Sequence, residues 1–328
     1  MGNLFNKKIK IFKGGSLSST SLINHDEFGD CILKEISIEH DREYGFVRFS
    51  SQIKRHIILK SFMPNIFPDI LEMGINNFQD KAYCLYQYKE GYIPLLDFLQ
   101  VEKNKLRVKE AAKNLLLSLD NLHQNGLKTF IPKGSLDYYV KEEMIRPLKN
   151  FGKNFKTDDL KFNNHNVLST EEFISSILKL LKSFDINKKY KHSLIHGNST
   201  LENILINFKS LDIALIDPYD ETYFDFALSD FSQILQCSKY YYGLRMISNE
   251  NNFEMNQFQL TKANNMFIYF NDLIENELYN NKIDTKLLNL LVVSQFTRLL
   301  PFRICNNDLI NAKYFYSLAS WIFQDNFL

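Results

Sequence analysis

Apolar and polar residues alternate in short runs over the first part of the chain, which is the period of β-strands. These runs cover residues 9–12, 21–23, 31–36, 70–73 and 82–88. Between the third and fourth runs, apolar residues recur every three or four positions, which predicts a helix over 44–61. Its apolar face is expected to comprise Phe46, Phe49, Ile53, Ile57 and Leu59. The first 90 residues should therefore form about five strands and one helix.

After residue 91 the apolar spacing becomes helical. Helices are predicted over 108–125, with Gly126 as its cap, and over 170–181, 226–243, 256–278, 285–300 and 309–324. The segment 127–165 is polar and predicted to be irregular apart from one short helix near Tyr139, and 192–217 is expected to hold short strands and a loop. The pattern predicts an α+β fold of two lobes, residues 1–90 and 91–328, with a ligand cleft between them.

Composition narrows the choice of partners. The chain has 39 Lys and Arg residues against 38 Asp and Glu residues, so its net charge of +1 gives no electrostatic reason to expect nucleic acid or an anionic membrane. No signal peptide or apolar run of spanning length is recognised, which predicts a cytoplasmic protein without a membrane span. The four cysteines are scattered, which favours reduced, buried thiols over a metal site: Cys31, Cys84, Cys237 and Cys305. The sequence does not indicate an oligomeric state.

One stretch carries a chemical pattern. An apolar run at 194–195 leads into His196-Gly197-Asn198, and after four intervening residues Asn203 opens a second apolar run. A third apolar run, 213–216, ends on Asp217. If the runs are strands, their ends bring Asn198, Asn203 and Asp217 close together. Asn203 and Asp217 carry the oxygen ligands that magnesium accepts when substrate phosphates complete its coordination shell.

This order and spacing resemble the aminoglycoside phosphotransferase and choline kinase-like superfamily, a branch of the protein kinase-like fold. That signature is His-Gly-Asp, four residues, Asn, a short hairpin and Ile-Asp, and the chain differs from it at Asn198. Further segments resemble phosphotransferases encoded with bacterial capsule and surface-polysaccharide genes, namely 200–205, 215–218, 223–225, 230–235 and 298–302. The resemblance implies a bilobal kinase, with a small antiparallel sheet and one helix in the N-lobe and a mostly helical C-lobe. It also implies that Mg-ATP phosphorylates an alcohol, such as a sugar or surface-polysaccharide precursor.

The resemblance assigns further residues to the nucleotide. A loop before the second strand would cover the phosphates, and an interior strand lysine would bind them. The backbone of the last strand would meet adenine. The residues at these positions are Gly14, Gly15, Ser16 and Ser18 in the loop, Lys34 on the strand, and Gln87 and Tyr88 at the hinge. Plainer interpretations stay open: the loop is also a normal hairpin turn, and Lys34 could be an edge-strand charge.

Two positions are implied to brace the catalytic loop, His196 and Asp230. Asp230 has an equal alternative as the N-cap of the helix that follows. The acceptor pocket is expected to use 127–165 and the C-terminal helices, with Tyr138, Tyr139 and Arg298 as candidates. Tyrosine is common in this chain, with 17 residues, so a place in the core or on the surface without a binding role is the plainer interpretation for both tyrosines.

Two residues depart from the family pattern. Asn198 replaces the carboxylate that accepts the proton of the attacking hydroxyl, and an amide oxygen accepts only hydrogen bonds. Gln52, eighteen residues after Lys34, stands where a Glu would orient the lysine. Four explanations for Asn198 stay open: a degenerate binder, a slow kinase whose Asn orients the hydroxyl, an anionic nucleophile that needs no base, and a deliberate Asp-to-Asn change made to trap substrate.

Overall fold

The computed structural model describes residues 8–12, 18–38, 45–76, 80–126, 129–185, 188–219, 224–242, 252–253 and 265–328. The prediction that Gly14, Gly15 and Ser16 cover phosphates lies outside these residues. The described chain divides into two compact units. The first lies within 1–94, 196–198 and 203–221, and the second comprises the rest. The segments around Asn198, Asn203 and Asp217 thus belong to the same unit as the N-terminal sheet.

The first unit contains a five-stranded antiparallel sheet in the order β1-β2-β3-β5-β4. Its strands are β1 (Lys8–Phe12), β2 (Ser19–His25), β3 (Gly29–Ser37), β4 (Ile70–Asn76) and β5 (Lys81–Gln87). Helix α1 (Phe46–Phe62) is the one helix between β3 and β4 among the described residues. A second sheet, in the order β10-β9-β6, holds β6 (Tyr92–Pro94), β9 (Ile204–Asn207) and β10 (Ile213–Leu215). The prediction of five strands and a helix is confirmed.

Side-chain alternation gives the first sheet two apolar faces. One face carries a cluster of Ile23, Cys31, Leu33, Tyr83 and Leu85. The other face packs against α1 through Ile36, Phe49, Ile53, Ala82 and Cys84. Ile57 was predicted on the apolar face of α1 but is 48% exposed, because the buried stripe follows Phe49, Gln52, Ile53 and His56 instead. Three polar side chains of α1 are therefore buried, those of Gln52, Arg55 and His56.

The second unit is mostly helical. Its helices are α2 (Leu95–Val101), α3 (Lys105–Gln124), α4 (Ser135–Val140), α5 (Arg146–Asn154), α6 (Thr170–Leu181), α7 (Ala227–Ser238), α8 (Asn265–Asn280), α9 (Thr285–Thr297), α10 (Leu300–Cys305) and α11 (Leu309–Phe327). A π-helical turn, Lys141–Ile145, joins α4 to α5. A small sheet contains β7 (Lys161–Phe162), β8 (His165–Asn166) and β11 (Asn252–Phe253). Helix α9 packs against α7 and α11, and α3 packs against α8.

Several local predictions need correction. The segment 127–165 contains α4, the π-helical turn and α5, because buried residues such as Met144, Leu148 and Phe151 recur at helical spacing. Residues 192–196 form no strand, and the short strand β6 takes the third place beside β9. On α6, Phe173 and Ile177 are buried, whereas Leu178, predicted on that face, is 45% exposed. Among the cysteines, Cys305 is exposed and the other three are buried.

One described segment, Thr285–Cys305, is long and apolar enough to cross a membrane, although the sequence analysis predicts no span. It comprises α9 and α10, and 61% of its most apolar 18-residue stretch is buried. These helices pack against α7, α5 and α11 in the second unit. A buried core helix can be equally long and apolar, so the segment is only weak support for a membrane span.

Gly126 is needed for a close approach and not for a left-handed cap. The C-cap of α3 is Asn125, and a Cβ on Gly126 would lie 2.6 Å from the backbone nitrogen of Leu194. Leu194 belongs to the segment that leads into His196. The absence of a side chain at Gly126 therefore allows the end of α3 to lie against that segment.

We expect Gly126→Ala to lower the free energy of unfolding by about 2 kcal/mol, because backbone atoms cannot rotate away from the added methyl group. The neighbouring Asn125→Ala, at an exposed position, is the control and should stay within about 0.5 kcal/mol of the parent. Urea unfolding measures both. Equal losses in the two variants would show that the close approach at Gly126 is not a constraint.

Candidate functional site

Lys34 lies on β3, in the middle of the five-stranded sheet between β2 and β5. The alternative that it is an edge-strand charge is therefore wrong. Lys34 is two residues before Ile36, so strand alternation places its side chain on the face that packs against α1. Its register partner on β5 is Cys84, a member of the same cluster. Only 4% of Lys34 is exposed, and a buried ammonium group must find partners.

Two side chains bind the Lys34 ammonium. Nζ donates to Oδ1 of Asp217 at 2.7 Å and to Oε1 of Gln52 at 3.1 Å. Gln52 reaches the lysine because it sits in the buried stripe of α1, one turn from Phe49 and from His56. The ion pair thus joins the central strand to the second residue after β10, across 183 positions of sequence.

Backbone and amide hydrogen bonds connect the three residues of the sequence pattern. Nδ2 of Asn203 donates to the backbone oxygen of Asn198 at 2.9 Å, and Nδ2 of Asn198 donates to the backbone oxygen of Asp217 at 2.8 Å. The N–H of Ile216 donates to the backbone oxygen of Asn203 at 3.0 Å. The prediction that Asn198, Asn203 and Asp217 lie close together is confirmed. Asp217 itself has a φ of 53°, in the left-handed region that residues with a Cβ rarely adopt.

The ionisation of Asp217 is set by two opposing effects. Burial raises the pKa of its carboxyl group, whereas the charge and the hydrogen bond of Lys34 lower it more, so the pKa lies below its ordinary value of 3.8. The side chain remains 34% exposed, compared with 5% for Lys34. Asp217 is therefore an anion at neutral pH with one side open to a ligand.

The oxygen atoms at this cluster fit a magnesium ion that arrives with phosphates. The amide nitrogen of Asn203 is engaged, which leaves its Oδ1 as a ligand, and Asp217 offers Oδ2 beside the lysine-bound Oδ1. Magnesium takes hard oxygen ligands and is usually held by one or two carboxylates plus substrate phosphates. Among the described residues no group of three His, Cys, Asp or Glu side chains could hold a metal by itself. The donor set therefore suits a metal–phosphate complex better than a bare ion.

His196 and Gly197 shape the turn before Asn198. His196 is fully buried, its ring stacks on Phe67 with centroids 6.1 Å apart, and its carbonyl accepts the N–H of Tyr219 at 3.0 Å. Gly197 has a φ of 77°, which glycine adopts at little steric cost. The hydrogen bond joins the backbone just before Asn198 to the backbone just after Asp217. The proposed bracing role of His196 is in accord with this contact.

A buried polar network in the second unit holds Ser199, the residue after Asn198. Oγ of Ser199 donates to the backbone oxygen of Asp230 at 2.8 Å, and its N–H donates to Oε1 of Gln233. Nε2 of His123 lies 3.0 Å from Oδ2 of Asp230, which is fully buried in α7. Phe226 is the N-cap of α7, so the N-cap alternative for Asp230 is wrong. Sequence reasoning missed His123, Ser199 and Gln233, although Gln233 follows Asp230 at helical spacing.

The other predicted residues have simpler surroundings. Gln87 ends β5, and its N–H donates to the carbonyl of Asp69 at 2.8 Å, which leaves Tyr88 as the predicted N–H donor to adenine. Ser18 precedes β2 and is 8% exposed. The hydroxyl of Tyr139 bonds Oγ of Ser294 at 2.6 Å inside the second unit, so its plainer role in the core is correct. Tyr138 is exposed.

Three solved structures, two of them named as a kinase or a phosphotransferase, match the fold of this chain. A glucosamine kinase matches with a TM-score of 0.52 at 9% identity, over 97% of this chain and 93% of that one. The gentamicin complex of APH(2'')-IIa gives 0.53 at 13% identity, over 96% and 91%. The ADP-bound aminoglycoside phosphotransferase APH(2'')-Ib gives 0.50 at 13% identity, over 97% and 95%. No family model and no curated protein sequence matches. The chain therefore has the α+β protein kinase-like fold of these enzymes.

Removal of Asp217 should lower the free energy of unfolding more than removal of Lys34. Asp217→Asn leaves the buried Lys34 ammonium with Gln52 alone, which should cost about 3 kcal/mol. Lys34→Met leaves a carboxylate that is still partly hydrated, which should cost about 1 kcal/mol. Urea unfolding at pH 7 tests this order, and the double variant should be more stable than Asp217→Asn. Equal losses for the two single variants would contradict the account of an unequally buried pair.

The same ion pair should make the free energy of unfolding depend on pH, with a loss of stability in acid. Because the folded pKa of Asp217 is lower than its ordinary value of 3.8, the stabilisation is complete above 3.8 and is lost as the pH falls through the folded pKa. We expect the difference in unfolding free energy between the parent and Asp217→Asn to be constant from pH 7 to 5 and to shrink below 3.8. A difference that stays constant to pH 2 would show that the charge of Asp217 does not stabilise the fold.

Proposed function

We propose that the protein is an ATP-dependent small-molecule kinase that transfers the γ-phosphoryl group of Mg-ATP to an alcohol. The observation that carries this proposal is the cluster of Lys34, Asp217 and Asn203 in the first unit. It unites a buried ammonium group, an ionised carboxylate and an amide oxygen, which are the groups that bind phosphates and their metal. The protein kinase-like fold shared with three phosphotransferase structures supports the same reaction class.

Each residue of the cluster has a separate task in this proposal. Lys34 binds the α- and β-phosphates and keeps Gln52 as its second partner. Asn203 and Asp217 would hold a magnesium ion, which supplies neutralisation of phosphate charge when bound. Ser18 and the preceding Gly14, Gly15 and Ser16 would cover the phosphates, and the backbone at Gln87 and Tyr88 would meet adenine. Phosphoryl transfer depends mainly on positioning and electrostatics, and these residues provide both.

The acceptor is proposed to be a hydroxyl group of a sugar or of a surface-polysaccharide precursor. The structures that share the fold include a glucosamine kinase and a gentamicin complex, so sugar rings occur among the ligands named for this fold. The segments that resemble capsule-cluster phosphotransferases favour a surface-polysaccharide precursor. Because ATP is the proposed phosphate donor, a cytoplasmic location is part of this proposal.

Asn198 sets the expected rate. An amide cannot take the proton of the attacking hydroxyl, and a positioned general base contributes about 10²–10⁴-fold. Within the described residues no hydrogen bond uses Oδ1 of Asn198, so this oxygen can accept a hydrogen bond from the acceptor hydroxyl. The proposed enzyme is therefore slow, with the hydroxyl oriented but not deprotonated by Asn198.

A second candidate function is a pseudokinase that binds nucleotide or a partner protein as an interaction module. The observation that favours it is the replacement of two carboxylates by Gln52 and Asn198. In the binder, Lys34 and Asp217 still hold Mg-nucleotide but no acceptor is phosphorylated. Phosphate-ester formation separates the enzyme from the binder.

Thermal unfolding with nucleotide tests both candidates. We expect Mg-ATP at 100 times its dissociation constant to stabilise the parent by about 2.7 kcal/mol, and magnesium alone to have no effect. Asp217→Ala should abolish the shift because it removes the only carboxylate of the proposed cluster. Asp212→Ala, an exposed carboxylate in the β9–β10 hairpin, is the matched control and should keep the shift.

The outcomes separate clearly. A parent that is stabilised by Mg-ATP and that also forms a phosphate ester on a sugar hydroxyl is the proposed kinase. Stabilisation without any ester supports the binder. A parent that is not stabilised by Mg-ATP, or an Asp217→Ala variant that is stabilised as much as the parent, would overturn the nucleotide site.

A further inference from the structure

Asn198 bridges the two residues that would bind the metal. Its backbone oxygen accepts Nδ2 of Asn203 at 2.9 Å, and its own Nδ2 donates to the backbone oxygen of Asp217 at 2.8 Å. One residue therefore fixes the side chain of Asn203 and the backbone of Asp217 at the same time. The oxygen at Asp217 is a carbonyl, so only a donor at position 198 can make this bond.

The bond falls where the backbone needs support. Asp217 has a φ of 53°, and a non-glycine residue in the left-handed region costs about 1–2 kcal/mol. The carbonyl that Asn198 binds belongs to this strained residue, and the carboxylate of the same residue binds Lys34 at 2.7 Å. A change in the backbone at Asp217 would therefore move the carboxylate relative to both Lys34 and Asn203.

We infer that Asn198 is a positioning residue, whose amide N–H holds Asp217 in the geometry needed to bind the metal–phosphate complex. The metal-binding role of Asp217 in this inference rests on the proposed function. An aspartate at position 198 has no proton to donate at neutral pH, and its oxygen would face the Asp217 carbonyl. Asn198 thus contributes a hydrogen bond to Asp217 that an aspartate could not make, in addition to its proposed role in orienting the acceptor hydroxyl.

Two simpler expectations predict the opposite effect of Asn198→Asp on magnesium binding or on rate. Charge alone predicts tighter magnesium binding, because a second carboxylate is added beside Asp217. A restored general base predicts faster phosphoryl transfer. A lost positioning bond predicts weaker magnesium-dependent binding and no gain in rate, since the part-buried carbonyl of Asp217 loses its donor and faces a repelling oxygen.

The decisive readout is the factor by which magnesium strengthens ADP binding. Calorimetric titration of the full chain with ADP, once with magnesium and once with EDTA, gives this factor for each variant. We expect Asn198→Asp to lower the factor about tenfold, while ADP affinity in EDTA stays within twofold of the parent. A general loss of structure would instead weaken binding under both conditions.

Asn104→Asp is the matched control. It makes the same chemical change, but Oδ1 of Asn104 accepts the N–H of Leu106 at the N-cap of α3, so an aspartate can replace it. Asn104→Asp should keep the parent's magnesium factor. An equal or larger magnesium factor in Asn198→Asp, or a higher rate of phosphate-ester formation, would overturn the inference.

A readout without nucleotide separates this inference from the proposed function. Without ligand, the unfolding temperature of Asn198→Asp should be about 2–4 °C below that of the parent and no higher than that of Asn198→Ala. The unfolding temperature of Asn104→Asp should equal that of the parent. If the parent binds no ADP under either condition, the proposed function fails, and the unfolding temperatures still decide whether Asn198 holds Asp217. An Asn198→Asp variant that unfolds with the parent would overturn the positioning role.

Discussion

The ion pair between Lys34 and Asp217 is the interaction on which the candidate site depends. A lysine that is 4% exposed in the middle of a sheet is costly to bury, and Asp217 at 2.7 Å together with Gln52 at 3.1 Å offsets this cost. The pair also fixes where β10 ends relative to β3, because its partners are 183 residues apart in the chain. The sheet, helix α1 and the β9–β10 hairpin are thereby organised around one charge.

The charge of the cluster explains what kind of ligand it suits. Lys34 and Asp217 cancel, and Gln52, Asn198 and Asn203 are neutral amides, so the five residues carry no net charge. A bare divalent ion gains little from such a site, and free phosphates meet a lysine that is already paired. A metal–phosphate complex satisfies both partners, since the phosphates take Lys34 and the metal takes Asp217 and Asn203. Opposite charges are therefore nearly balanced both in the whole chain and within this cluster.

Much of this arrangement follows from local patterns. Alternation on β3 puts Lys34 on the same face as Ile36, and strand ends bring Asn203 and Asp217 together. The orientation of α1 was less predictable: Ile57 is exposed while Gln52 and His56 are buried, because Gln52 binds Lys34 and the ring of His56 binds the carbonyl of Pro68. Helical spacing alone cannot show this, since it depends on a partner from a distant strand.

The role of Asn198 was out of reach for a different reason. The sequence shows a missing carboxylate, but the direction of a hydrogen bond depends on which atom of Asp217 faces the amide. The left-handed turn at Asp217 presents its carbonyl, and that geometry requires a donor. Gln233 and His123 were missed likewise, because their partners Ser199 and Asp230 meet only in the folded second unit.

The most direct test of the account is a crystal structure with Mg²⁺ and a non-hydrolysable ATP analogue. The account predicts a metal within about 2.1 Å of Oδ1 of Asn203 and a carboxylate oxygen of Asp217. It also predicts that Lys34 contacts a phosphate oxygen and that Nδ2 of Asn198 remains bonded to the carbonyl of Asp217. A nucleotide bound elsewhere, with the Lys34–Asp217 pair unchanged and no metal at Asn203, would contradict it.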